Sequence, residues 1–223
     1  MPQPVNVVIP TKSNFTGLAE LLSDLSLDPV VGTVCIVADG QAAFDALPDP
    51  PEHIITITVP EGVGIHHMWN RGIEAVGRDS HIAFLNDDVR LSPECLSLLA
   101  NSLDANPSIG IICPNYSTVE MTEDRQVFNT CGSRYDGTGG LAGFAMMLRS
   151  DLVKVYNFDE NMKWWYGDDD VLLWVTRTMG MHAVISHAAR CRHADSVTIR
   201  TNPPADFGRL VGQDREYFRS KWH

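Results

Sequence analysis

The chain has 223 residues, of which 44% are hydrophobic and 20% charged, as in ordinary soluble globular proteins. No apolar run approaches the roughly 20 residues that a membrane-spanning helix needs, so we expect no stable membrane insertion. The formal net charge of −11 weighs against general affinity for nucleic acid or an anionic membrane surface.

The N-terminal residues and the cysteines bear on the compartment. Met1-Pro2-Gln3-Pro4 leads directly into a strand-like run, without a basic segment or a cleavable apolar region. The five cysteines stand singly, with no Cys-x-x-Cys pair, which favours neither a disulfide framework nor a zinc ribbon. We therefore expect a cytoplasmic protein.

Short apolar runs alternate with helical patterns along the first half of the chain. Four runs predict strands: Val5 to Ile9, Val34 to Ala38, Ile54 to Val59 and His81 to Leu85. Their alternation with helices predicts an α/β fold with a mostly parallel sheet. Ligands of such sheets bind outside the carboxyl ends of the strands, where this sequence has Pro10-Thr11, Asp39-Gly40 and Asn86-Asp87-Asp88.

The second half is less regular. The predicted elements are a helix from Ser92 to about Ala105, strands at Ile109 to Cys113 and Phe144 to Leu148, an extended segment at Gln126 to Tyr135, and helices at Gly167 to Met179 and about Asp206 to Lys221. The basic residues of the last helix are interpreted as one solvated face, with a local basic patch as the alternative. At this length one domain, residues 1–223, is the natural division.

Two adjacent carboxylates follow the apolar run His81 to Leu85. Since a core would not select two adjacent carboxylates, Asp87 and Asp88 are expected at a strand exit. Carboxylate oxygens there suit Mg²⁺ or Mn²⁺ carrying a diphosphate. The alternative is a simple polar turn, because Asn-Asp-Asp is a good turn sequence.

The order and spacing of these segments resemble glycosyltransferase family 2, the inverting group with the GT-A fold, over most of the chain. Val7 to Thr11 resembles the family's first strand, and Cys35 to Gly40 resembles the second, with the Asp that commonly meets the nucleotide base. Pro60 to Gly64 and Trp69 to Ile73 are similar to the Glu-Asn-x-Gly and Asn-x-Gly segments, although Gly62 stands where Asn is usual.

The resemblance implies a Rossmann-like, mostly parallel sheet flanked by helices, in a single domain. Residues from about 1 to 113 would form the nucleotide-sugar-binding half. Residues from about 114 to 223 would form the acceptor-binding and catalytic half.

Phe84 to Val89 resembles the family's Asp-x-Asp site, with Asn86 in the first acidic position. This resemblance implies Asp88 as a metal ligand and Mn²⁺ or Mg²⁺ as the cofactor, with Asp87 on the ribose or sugar side. Cys191 to Ser196 resembles the late segment whose imidazole completes the metal site, which implies His193 as a second ligand. The alternative for His193 is a surface or satisfied core histidine.

Tyr166 to Asp170 is similar to the family's Glu-Asp pair, in which the Asp is the catalytic base. Matching Gly167 and Gly180 to the family spacing puts Asp168 at the Glu and Asp169 at the base, while Val171 occupies the usual second Asp position. A neighbouring carboxylate, Asp168 or Asp170, would raise the proton affinity of Asp169. One of these neighbours is instead expected to be only an acidic helix start.

Gly140 to Phe144 resembles the segment that lines the transferred sugar. With this segment, the residues implied to contact the donor are Pro10, Thr11, Asp39, Asn70, Arg71, Asn86, Asp87 and Gly143. His66 and His67 begin a helix and have no identifiable carboxylate partner, so both are interpreted as solvated.

The resemblance therefore implies a metal-dependent inverting transfer of sugar from a nucleotide diphosphate donor, most often UDP-linked. The acceptor is a hydroxyl of a glycan, a lipid-linked sugar, a protein or a modified nucleobase. Two alternatives stay open: a degenerate binding module without turnover, and a sugar-nucleotide nucleotidyltransferase. The second alternative has only Lys12 as the basic residue that such enzymes carry after the first strand.

Overall fold

The computed structural model describes residues 3–47, 53–117, 120–129, 140–194 and 206–222. In these ranges the strands are β1 (Val5–Thr11), β2 (Val31–Asp39), β3 (Ile54–Val59), β4 (His81–Leu85), β5 (Val89–Leu91), β6 (Ile109–Asn115), β7 (Arg125–Gln126), β8 (Ala145–Leu148) and β9 (His182–His193). The helices are α1 (Phe15–Ser26), α2 (Gln41–Asp45), α3 (Ile65–Val76), α4 (Cys95–Ala105), α5 (Ser150–Val153), α6 (Gly167–Leu173), which continues as a π-helical turn at Trp174–Thr178, and α7 (Phe207–Trp222).

The strands form one sheet in the order β3-β2-β1-β4-β8-β6-β9-β5, and β7 pairs with β9. Strands β3, β2, β1 and β4 are parallel to one another, whereas β8 runs antiparallel to both of its neighbours, β4 and β6. Strand β9 is parallel to β6 and antiparallel to β5. The predicted α/β fold with a mostly parallel sheet flanked by helices is confirmed.

Both faces of the sheet are covered, which explains why its central strands are apolar throughout. On β1, Val7 and Ile9 belong to the core under α1 and α4, while Val8 belongs to the core under α3 and α6. Every residue of β1 is buried. Strands packed on both faces hold the polar residues at their carboxyl ends in fixed positions.

Several predicted boundaries differ from the observed ones. The helix predicted from Ser92 begins at Cys95, whose N–H donates to the Ser92 carbonyl (3.2 Å), because Glu94 takes a left-handed conformation with φ +57°. The helix predicted from Gly167 to Met179 changes to a π-helical turn after Leu173. Of the predicted extended segment only the start pairs, as β7, and residues 130–135 lie outside the described ranges.

Among the described residues, no helix is both long and apolar enough to cross a bilayer. The four cysteines that the structure describes, Cys35, Cys95, Cys113 and Cys191, are buried, and Cys131 lies outside the described ranges.

Candidate active site

The ends of β1 and β4 meet around Asp87. Thr11 Oγ1 donates to Asp87 Oδ2 (2.7 Å), and Asn14 Nδ2 donates to the Asp87 carbonyl (3.0 Å). Burial raises the pKa of Asp87 to about 6, with the neighbouring charge of Asp88 adding to the rise and the Thr11 hydrogen bond opposing it. The predicted donor-contact residues Thr11 and Asp87 therefore form one fixed unit.

Asp88 and His193 lie side by side because β5 pairs with β9 and puts Val89 opposite His193. His193 Nε2 is 3.0 Å from Asp88 Oδ1, and both side chains are largely buried. The distance is that of an ion pair, yet the buried Nε2 makes no hydrogen bond of regular geometry in the described structure. An imidazole nitrogen and a carboxylate oxygen thus converge without being joined by a well-formed hydrogen bond.

The His193 ring is held by an aromatic contact. It stacks on Phe144 with a centroid separation of 4.1 Å and an interplanar angle of 1°. Phe144 in turn contacts the edge of Tyr116, and its carbonyl accepts the N–H of Asn86 (2.9 Å). The predicted donor-contact residue Asn86 and the histidine therefore share one support.

Asp168 lies in the first turn of α6, against the backbone at Gly143. A Cβ added to Gly143 would lie 2.6 Å from Cβ and 2.7 Å from Cγ of Asp168, so the approach requires glycine. Burial, and secondly the charge of Asp169, raise the pKa of Asp168 to about 7. Since Gly143 precedes Phe144, Asp168 contacts the segment whose next residue stacks on His193.

Asp170, the third acid, is buried and serves the fold. It accepts hydrogen bonds from Tyr156 Oη (3.0 Å) and Trp222 Nε1 (2.8 Å), and Lys221 Nζ lies 2.8 Å from it. These contacts tie the start of α6 to the end of α7. Of the two neighbours of Asp169, Asp170 is the one that the contacts account for as structural.

Replacing Asp170 by Ala is expected to lower the free energy of unfolding by about 2–3 kcal/mol, because Tyr156 and Trp222 lose a charged acceptor. Urea unfolding followed by tryptophan fluorescence measures the change. The exposed Asp79→Ala variant is the control and should unfold like the wild type. A loss for Asp170→Ala no larger than that of the control would show that the network does not stabilise the fold.

The remaining predicted donor contacts lie along the same edge. Asp39 Oδ1 accepts the Gly62 N–H (2.7 Å), and Lys12 Nζ lies 3.2 Å from Asp39 Oδ2 and 3.0 Å from Glu61. Pro10 is buried in β1, beside Thr11. The role of these residues in donor binding stays a prediction.

Asn70 and Arg71 differ from each other in their surroundings. The amide group of Asn70 donates to the Phe158 carbonyl (2.9 Å) and accepts the Phe158 N–H (2.9 Å), so it fixes that segment on α3. Arg71 is exposed and pairs with Glu74. Their predicted contacts with the donor also stay predictions.

The interpretation of the two neighbouring histidines as solvated is wrong for His66, whereas His67 is partly exposed and has a carboxylate partner. His66 is buried between Trp69 and Phe158, its Nδ1 contacts the Met162 carbonyl, and burial lowers its pKa. His67 Nδ1 lies 2.9 Å from a Glu160 carboxylate oxygen. The partners come from a distant part of the chain, which local pattern could not indicate.

Comparison with known proteins shows the family to which the chain belongs. The family model described as Glycosyl transferase family 2 matches residues 6–162. The chain belongs to glycosyltransferase family 2. The matched range includes Asp39, Asp88 and Gly143 and ends before the acids at the start of α6. No curated protein matches this family 2 glycosyltransferase.

Solved structures show the same fold. GalNAc-T7 with UDP, GalNAc and Mn²⁺ superposes with a TM-score of 0.67 at 10% identity, over 86% of this chain and 44% of that one. TarS 1-349 of S. aureus in complex with UDP gives a TM-score of 0.60 at 16% identity, over 84% of this chain and 60% of that one. Both are GT-A glycosyltransferases, so the predicted GT-A fold is confirmed. The predicted glycosyltransferase class is confirmed by the family match. The family 2 domain described here spans 44% and 60% of those chains.

Proposed function

We propose that this family 2 glycosyltransferase moves a sugar from a nucleotide diphosphate donor, a UDP-sugar, to an acceptor hydroxyl with inversion at the anomeric carbon. The observation that supports it best is the approach of Asp88 to His193, whose ring stacks on Phe144 next to the Gly143 backbone that Asp168 contacts. The proposal of UDP is further supported by the UDP in the named structures of GalNAc-T7 and TarS.

Asp88 and His193 fit a divalent cation, Mn²⁺ or Mg²⁺. Carboxylate oxygen and imidazole nitrogen both suit Mn²⁺, and a buried Nε2 without a regular hydrogen bond suits a position that a cation completes. Within the described ranges no group of three or more His, Cys, Asp or Glu could hold a metal. Asp88 and His193 would supply two ligands, with diphosphate oxygens and water in other positions. When bound, the cation would offset the charge that develops on the leaving diphosphate.

Asp169 is proposed as the base, with Asp168 beside it. As the acceptor oxygen bonds to the anomeric carbon and the bond to the diphosphate breaks, the hydroxyl proton passes to a carboxylate oxygen of Asp169. The Asp169 N–H donates to Asp168 Oδ1 (3.1 Å), and the pKa of Asp168 is raised to about 7 by burial and by the charge of Asp169. An ionised Asp168 beside Asp169 would favour transfer of the hydroxyl proton to Asp169, because two neighbouring negative charges repel each other.

The acceptor and the compartment rest on the sequence alone. A glycan, a lipid-linked sugar, a protein or a modified nucleobase each offers a suitable hydroxyl, and a cytoplasmic location remains a prediction.

The two alternative functions, a degenerate binding module and a nucleotidyltransferase, are tested by one assay of the products released from the donor. A degenerate binding module would bind nucleotide without turnover, and a nucleotidyltransferase would release pyrophosphate instead of a nucleoside diphosphate.

The test of the proposed function is diphosphate release from UDP-sugars, GDP-mannose and TDP-glucose, with Mn²⁺ and with EDTA. Slow transfer to water makes the assay independent of the unknown acceptor. Release of UDP that requires Mn²⁺ supports the proposal. Nucleotide binding without release from any donor would favour the degenerate module.

The pH dependence of the same assay follows from the acid pair. Protonation of Asp168 below about pH 7 would remove the neighbouring charge that favours proton uptake by Asp169, so kcat/KM is expected to fall as the pH drops below about 7. The free energy of unfolding depends on pH in the opposite direction. A carboxyl whose folded pKa is raised stabilises the fold when it is protonated. Asp168 therefore contributes its full stabilisation below about pH 4 and none above about pH 7. In Asp168→Asn the free energy of unfolding should no longer decline over this pH range. Urea unfolding at each pH measures this. A kcat/KM that stays constant from about pH 5 to 8 would contradict the assignment.

A further inference from the structure

Helix α7 lies beyond the range that the family model matches, yet it contacts the segment that carries the acid pair. Its Asp214 is buried, and its carboxylate accepts three successive backbone N–H groups. Oδ1 accepts that of Lys163 (3.1 Å), and Oδ2 accepts those of Trp164 (2.9 Å) and Trp165 (3.0 Å). Hydrogen bonds to an ionised acceptor are strong, so Asp214 fixes the path of this backbone.

The residue after this backbone segment is conformationally strained. Tyr166 has φ +67°, a left-handed conformation that is uncommon outside glycine. Its ring stacks on Phe218, with centroids 5.1 Å apart. Phe218 lies one helical turn after Asp214, so one face of α7 holds both the backbone and the ring. Strain of this kind persists only where the surroundings enforce it.

Helix α3 holds the same segment from the other side. The Ile65 N–H donates to the Lys163 carbonyl (2.8 Å), and a Cβ added to Gly167 would overlap the ring of His66. The turn at residues 163–167 is therefore clamped between α3 and α7. Asp168 and Asp169 follow it directly, so the clamp sets where α6 begins and where both carboxyl groups point.

The end of α7 fastens the third acid of the run. Lys221 Nζ lies 2.8 Å from Asp170 and 3.0 Å from Asp159, and the Trp222 indole donates to Asp170. Helix α7 thus contacts the acidic segment on both sides of the acid pair. The strand-end residues Asp87 and Asp88 receive no such contact from α7 among the hydrogen bonds and ion pairs of the described residues.

We propose that Asp214 is a positioning residue for sugar transfer, which acts by holding residues 163–166 so that Asp168 and Asp169 face the reacting hydroxyl. This inference rests on the proposed function. It assigns α7 to the acceptor step and leaves donor and metal binding to the strand ends. Loss of Asp214 should therefore lower turnover without weakening the binding of UDP.

The test compares Asp214→Asn with Glu216→Gln, the same acid-to-amide change at an exposed position of the same helix. In Asp214→Asn the amide donor faces backbone N–H groups that need an acceptor. We expect kcat to fall about 10- to 100-fold, as for misplacement of a catalytic group by about 1 Å, with UDP affinity in Mn²⁺ within about twofold of the wild type. Glu216→Gln should match the wild type in both.

Hydrogen–deuterium exchange supplies a readout that needs no turnover. Amides of residues 163–170 should exchange faster in Asp214→Asn, while those of residues 84–91 should not change. Exchange at 163–170 equal to the wild type, or wild-type kcat in a folded variant, would overturn the inference. So would a loss of UDP affinity in proportion to kcat, because α7 would then support the whole site.

A second variant and the activity of the wild type distinguish the remaining outcomes. If Asp214→Asn does not fold, Phe218→Leu removes the ring under Tyr166, and the same split between kcat and UDP affinity is expected; unchanged kcat would overturn the inference. Failure of the proposed function itself would show differently, as a wild-type protein that releases no diphosphate. The exchange experiment would still decide whether Asp214 positions residues 163–170.

Discussion

Replacing Asp169 by Asn is expected to reduce sugar transfer about 10²- to 10⁴-fold, the usual contribution of a general base. The amide cannot accept the hydroxyl proton, whereas the shape of the side chain is kept. Donor binding should survive, because the residues expected to contact nucleotide and metal lie on other elements. Steady-state UDP release and calorimetric UDP binding in Mn²⁺ measure the two effects separately.

Two companion variants sharpen the test of the base. Asp168→Asn should retain more activity than Asp169→Asn and should remove the decline in kcat/KM below about pH 7, since the group that titrates there is gone. Asp79→Asn, an exposed acid on the loop after α3, should behave as the wild type. Wild-type turnover in Asp169→Asn together with inactive Asp168→Asn would assign the base to Asp168.

Replacing Asp88 by Ala is expected to abolish the dependence of UDP binding on Mn²⁺ and to lower turnover about 10²- to 10³-fold or more, the range for losing a group that stabilises developing charge. Asp88 supplies the only carboxylate oxygen that the described ion pairs place beside His193. Without it a single imidazole would face the cation, and the diphosphate would lose its counter-charge.

The control for this experiment is Asp79→Ala, which removes a carboxylate at an exposed position outside the candidate active site. His193→Ala should resemble Asp88→Ala in metal dependence, because both would remove a ligand of one ion. Calorimetric titration of UDP at several Mn²⁺ concentrations gives the coupling between the two ligands. Equal Mn²⁺ dependence in wild type and Asp88→Ala would move the metal site elsewhere.

The sequence predicts the sheet well where local pattern is enough. The run His81 to Leu85 is apolar at every position except its first, and it forms β4 with the predicted bounds. The carboxylates of Asp87 and Asp88 lie at the strand exit as expected, although both side chains are buried there. The helix predicted from about Asp206 to Lys221 is likewise observed, at Phe207–Trp222.

Contacts between distant segments could not be read from pattern. The approach of His193 to Asp88 depends on the pairing of β5 with β9, and the three-residue β5 has too little pattern to be predicted. The burial of His66 depends on Phe158 and Met162. A local sequence window contains neither partner.

The contacts of the last helix, α7, likewise could not be predicted from local sequence pattern. Its basic residues are interpreted from the sequence as a solvated face, and Lys221 instead pairs with Asp159 and Asp170. Asp214 in the middle of a polar helix gives no local sign of burial. Only the turn at residues 163–165, folded against it, gives that carboxylate its partners.

A metal-dependent nucleotide-sugar site is tested directly by the shift in Tm with UDP, GDP, TDP and CMP, each with Mn²⁺ and with EDTA. A ligand that binds only the native state stabilises it, by about 2.7 kcal/mol at 100 times its Kd. We expect UDP to raise Tm in Mn²⁺, and EDTA or Asp88→Ala to remove the increase. No increase with any of the four nucleotides in Mn²⁺ would contradict a nucleotide-sugar site at this sheet edge.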